Sequence, residues 1–99
     1  MMAVFRDVDP RELRLPSPRL QGADPGKLSR QIALFGRSTV GMPPVLVYEG
    51  ADGVLVVDDG VTRATRVAKL VPGTLIRAEI VGKLPKAFAG SPSIGGLLK

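Results

Sequence analysis

Between Val54 and Arg66 the chain changes its hydrophobic period, and the change falls on a single glycine. Val54-Leu55-Val56-Val57 is a run of four apolar residues, three of them β-branched, as expected of a strand covered on both faces. Asp58-Asp59-Gly60 follows. Gly60 admits backbone angles closed to residues that carry a side chain, so the chain can reverse there. From Val61 the period is helical. Val61, Ala64, Val67, Ala68 and Val71 share one arc of a helical wheel, and Thr62, Thr65, Arg66 and Lys69 lie opposite. Arg63 sits on the flank of the apolar arc beside Leu70.

A helix entered this way opens with unpaired backbone N–H groups, the Thr62 hydroxyl and the Arg63 guanidinium, a combination suited to holding a phosphate. The predicted binding residues are therefore Gly60, Thr62, Arg63 and Arg66. Asp58 and Asp59 would repel a bare anion. They are candidates to bridge through a divalent cation such as Mg2+, or for one of them to accept a proton. The same stretch also reads as a plain strand–turn–helix connection with a solvated outer face, because Asp-Gly turns and exposed arginines are common.

The remaining segments give a small α+β domain. Val4 to Val8 is a strand candidate, with Val4 and Val8 on a different face from Phe5. Asp9 to Leu13 reads as a turn or a single helical turn, and Leu15-Pro16-Ser17-Pro18 as extended chain. Asp24-Pro25 marks a helix start, with an N-cap followed by proline at the first helical position. That helix is expected to run to Phe35, bury Leu28, Ile32 and Phe35, and stop at Gly36. Ser38 and Thr39 in the following loop serve either as caps or as ligand contacts. Val45–Glu49 and Val54–Asp58 form a hairpin across Gly50-Ala51-Asp52-Gly53, with Glu49 and Asp52 as solvated turn charges. Thr74 to Val81 is a further strand that turns Thr74, Ile76, Ala78 and Ile80 to the core. The Gly/Pro/Ser-rich, basic segment 83–99 is expected to be a flexible tail outside a domain of residues 1–82. In that tail Phe88, Leu97 and Leu98 are available to dock on a protein partner or a second copy.

From about Asp24 to Val81 the chain resembles the ParB/sulfiredoxin-like fold. Pro44-Val45-Leu46-Val47 is similar to that family's Pro-Ile-x-Val strand, and Val56-Val57-Asp58-Asp59-Gly60 to its strand ending in Asp-Gly or Gly-Gly. Ala64–Leu70 and Thr74–Val81 look like the helix and closing strand that follow. The resemblance implies a mixed sheet with two main helices and a nucleotide-binding site, and it would bring Arg14 or Arg19 near the ligand. Members differ after the glycine. ParB clamps that bind cytidine triphosphate carry Gly-Glu-Arg-Arg-x-Arg-Ala, sulfiredoxin Gly-Gly-Cys-His-Arg, and free-serine kinases Asp-Gly-His-Thr-Arg. The last is the nearest, matched at Asp59, Gly60, Thr62 and Arg63. This chain has Val61 where all three carry a polar or reactive residue, and valine neither transfers a proton nor attacks an electrophile. The expectation is a phosphate-holding site with weak or lost chemistry, or else a non-enzymatic module for protein or DNA.

Composition narrows the chemistry. The 99 residues include neither cysteine nor histidine, which excludes thiol catalysis, thiolate zinc sites, disulfides and the commonest general base. A metal would have to be a hard cation on carboxylates. No apolar run approaches membrane-spanning length, and the start of the chain lacks a signal-peptide pattern, so a cytoplasmic protein without a membrane partner is expected. The net charge is +5, and from Val61 onward seven Lys/Arg face a single acid, Glu79. That bias points to a polyanion such as nucleic acid across Arg63, Arg66 and Lys69. The scarcity of aromatics argues against single-strand stacking.

Overall fold

A computed structural model describes residues 3–98. It is a small α+β domain whose elements run β1 (Val4–Val8), α1 (Pro25–Phe35), β2 (Val45–Glu49), β3 (Leu55–Asp59), α2 (Val61–Leu70), β4 (Ile76–Lys83) and α3 (Ile94–Leu97), with 3-10 turns at Pro10–Glu12 and Ser17–Arg19. The second 3-10 turn stands where extended chain was expected. Pro18 is accommodated because it falls in the first turn, where its missing N–H is not needed.

The four strands form one mixed sheet in the order β1-β4-β2-β3. β1 and β4 are antiparallel, β2 and β3 are antiparallel, and β2 and β4 are parallel. The parallel step is closed by the hairpin and α2, which carry the chain back over the sheet. In the hairpin turn Gly53 takes φ +79° and its N–H donates to Gly50 O at 3.0 Å.

α2 is the central packing element. Val61, Ala64, Val67 and Ala68 are buried against Val45, Val47, Val57, Ile76 and Ala78 of the sheet. Leu13 and Leu15 complete this core. The residue between them bridges the edge of β3: Arg14 N donates to Leu55 O and Val57 N to Arg14 O, both at 3.0 Å. The sheet edge at β3 is therefore covered, which blunts its tendency to pair with another chain.

Two expectations are corrected. First, α1 begins and ends as predicted: Asp24 accepts from Lys27 N at 2.9 Å, and Gly36 N reaches Ile32 O. It buries none of its residues, however. Phe35 is half exposed and Leu34 more so. The helix lies at the periphery because it packs on α2 rather than on the sheet.

Second, the boundary at residue 82 falls inside β4, and the segment after it returns to the domain. Ile94 is in the core, Phe88 is buried, and Leu98 packs on the core. Leu15 N donates to Pro92 O and Ile94 N to Leu13 O, both at 2.9 Å, so this segment becomes the outer neighbour of the 13–15 stretch. Among the described residues no helix is long and apolar enough to cross a membrane.

Candidate functional site

β3 ends at Asp59 and α2 begins at Val61, so one residue makes the whole turn. Gly60 makes it at φ +113°, and its lack of a side chain leaves α2 without a side-chain N-cap. The first N–H groups of a helix have no partner within it. Here they open beside a cleft of about 190 Å3.

One wall of the cleft is the stretch Asp58 to Arg63, and the other is Arg19 with Asp24, Lys27 and Gln31 from the start of α1. The predicted residues Asp58, Asp59, Gly60, Thr62 and Arg63 thus meet in one place. Arg19 joins them from a distant segment. Arg14 does not: its Nη1 donates to Ala89 O at 3.0 Å and to Ser91 O at 2.8 Å, tying the final segment to the sheet edge. The cleft is of mixed charge, with carboxylates at Asp24, Asp58 and Asp59 and cations at Arg19, Lys27 and Arg63. Among the described residues no group of three or more acidic, histidine or cysteine side chains is arranged to hold a metal ion. A cation here would have to arrive with a ligand that supplies most of its oxygens, as Mg2+ does with nucleotide phosphates.

Arg63 is committed partly to structure. It folds over Gly60, donating from Nε to Pro43 O at 3.2 Å and from Nη2 to Pro44 O. Its ion pair with Asp59, at 3.8 Å, is held by a carboxylate that is 70% exposed, so it contributes little. Val61 is buried in the core cluster and is a packing residue.

Arg66 and Thr65 correct the helical-wheel reading, which put both on the solvent side. Both are buried. Thr65 satisfies its hydroxyl by donating to Val61 O, one turn back, at 2.7 Å. Arg66 donates from Nη1 to Gly36 O at 2.6 Å and to Ser38 O at 2.8 Å, and lies 5.4 Å from the centre of the Phe35 ring. Burial pulls its pKa below the ordinary arginine value. It pins the loop after α1 and does not line the cleft, so the predicted basic stripe of Arg63, Arg66 and Lys69 does not form. Ser38 Oγ accepts from Val40 N, the local backbone role.

Asp52 is the other departure. Expected as a solvated turn charge, it accepts from Phe88 N at 3.1 Å, Ala89 N at 2.9 Å and Val54 N at 3.2 Å. Desolvation raises its pKa, but the Ala89, Phe88 and Val54 N–H groups and its own outweigh that effect and hold the carboxyl below its ordinary value. Glu49 likewise faces Arg6 at 3.6 Å and Lys83 at 3.9 Å. The Asp-Gly turn was legible, but its distant partners carry no sequence signal.

No protein-family model matches the chain, and a search of the curated proteins finds no match.

Proposed function

We propose that the cleft at the start of α2 binds a phosphate-bearing ligand, a nucleotide being the best fit, in a domain of ParB/sulfiredoxin-like fold. The observation that carries this reading is the helix start at Gly60: it lacks a side-chain cap, so its N–H groups are unclaimed, and together with Thr62 it lines a cleft of about 190 Å3 whose other wall carries Arg19 and Lys27. Phosphate oxygens accept from the Val61–Arg63 N–H groups and the Thr62 hydroxyl, and Arg19 and Lys27 balance their charge. Asp58 and Asp59 suit a Mg2+ ion carried by the nucleotide, which would relieve their repulsion of the phosphates.

The site binds and does not turn over. Position 61 offers no polar group, and its valine is part of the core. Isothermal titration with ATP, ADP and CTP, with and without magnesium, tests the proposal. Saturable binding of at least one supports it, and absence of binding by all three at millimolar concentration counts against it.

A second reading, a protein-interaction module on the same scaffold, draws on the exposed apolar residues around β1 and β4. Phe5, Leu75 and Val81 are 45%, 58% and 41% exposed. A pull-down in which Phe5→Ser loses a partner that Arg63→Ala retains would favour this reading over the first.

A further inference from the structure

A second cavity, of about 260 Å3, shares only Gln31 and Arg63 with the cleft. Phe35, Val40, Met42 and Pro43 make its lining largely apolar, and Arg66 forms part of its wall. The side chains around it are unusually open for their chemistry: Phe35 is 50% exposed and Val40 is 91% exposed.

Arg66 is only 1% exposed. Taking a guanidinium out of water is costly unless a carboxylate and a full set of acceptors compensate. Among the described residues no carboxylate forms an ion pair with it. Its donors are served unequally. Nη1 has two backbone carbonyls. Nη2 has only the Met42 thioether at 3.5 Å, and sulfur is a weak acceptor. Nε is buried with no acceptor. The unsatisfied side is the Nε–Nη2 edge, the fork that takes a carboxylate through two parallel hydrogen bonds.

We propose that this cavity binds a small carboxylic acid with an apolar substituent. The carboxylate accepts from the Nε–Nη2 edge of Arg66, and the apolar part rests on Phe35 and Val40. Met42, unbranched and flexible, yields its place at Nη2. A lone buried cation thereby becomes a hydrogen-bonded ion pair, and an exposed ring loses contact with water. Inorganic phosphate fits less well, because one guanidinium edge leaves most of its oxygens against apolar walls.

The test compares phenylacetate with its neutral analogue phenylacetamide on the full chain, following backbone amide signals by NMR. Phenylacetate is expected to shift Ser38, Val40 and Met42 saturably. Phenylacetamide should bind at least roughly tenfold more weakly, the size expected of a hydrogen bond to a charged group. Phe35→Ala, at a half-exposed position, should weaken phenylacetate binding several-fold while the amide spectrum away from the cavity stays that of wild type. Equal binding of the two probes, unchanged affinity in Phe35→Ala, shifts confined to Thr62 and Arg63, or no binding at millimolar probe would each overturn the proposal.

Discussion

A Cβ placed on Gly60 would lie 2.8 Å from Cζ of Arg63, so the arginine occupies the space that the glycine leaves open. The same glycine holds φ +113°, a conformation that side chains resist. Gly60→Ala is therefore expected to cost about 1–3 kcal/mol of stability from backbone strain, and to push Arg63 off the Pro43 and Pro44 carbonyls. Chemical denaturation of Gly60→Ala, Arg63→Ala and the double variant separates the two effects. The strain remains in the Arg63→Ala background, and the clash disappears.

Asp52 fastens the segment around Phe88 to the hairpin turn. Its folded pKa is depressed, so its contribution to stability is fully present above the ordinary carboxyl value of 3.8 and is lost as pH falls below that through the folded value. Asp52→Asn is expected to lower the unfolding midpoint at neutral pH and to flatten the acid limb of the stability profile. Thermal unfolding from pH 2 to pH 7 reads both, as roughly the range in which carboxyls titrate. An unchanged acid limb would contradict the clamp.

Arg66 and Lys69 sit within one turn of α2 and should behave differently. Arg66→Ala removes charged hydrogen bonds to Gly36 and Ser38, with an expected loss of about 2–3 kcal/mol. Lys69, an exposed residue of the same helix, should tolerate alanine within about 0.5 kcal/mol. Urea melts of the two variants check the contrast. Equal, small effects would mean that Arg66 is not holding the loop.

The elements that local rules govern were legible in the sequence, and the long-range partners were not. Asp24-Pro25 and Gly36 bound α1 because caps act within one turn, and Asp52-Gly53 marked the hairpin because turn chemistry is local. The meeting of Asp58, Asp59, Gly60, Thr62 and Arg63 followed from adjacency along the chain. Arg66 was misplaced because a helical wheel assigns charge to solvent, whereas a long guanidinium can reach carbonyls far back in the sequence. The 83–98 segment was misread because Gly, Pro and Ser signal loops, and nothing in its composition reveals that Ile94 fills a gap beside Leu13 and Leu15.

On the proposed reading, Val61 is a packing residue at a site that binds without turnover. Val61→His and Val61→Glu each put a polar group into the core, at an expected cost of about 1–3 kcal/mol, and neither should produce turnover. Wild type is expected to hydrolyse ATP and CTP no faster than Arg63→Ala. Magnesium-dependent hydrolysis in wild type, abolished by Asp59→Asn, would instead assign the aspartates a catalytic role.

The most direct test of the proposed phosphate site is an NMR titration of the full chain with ATP and CTP in the presence of magnesium, read at the amides of Val61, Thr62 and Arg63. The account predicts saturable shifts at these amides. It also predicts affinity weakened about tenfold by Thr62→Val and by Lys27→Glu, the loss expected for one charge-assisted contact. Shifts centred on Phe5 and Val81, or none at all at millimolar nucleotide, would contradict it.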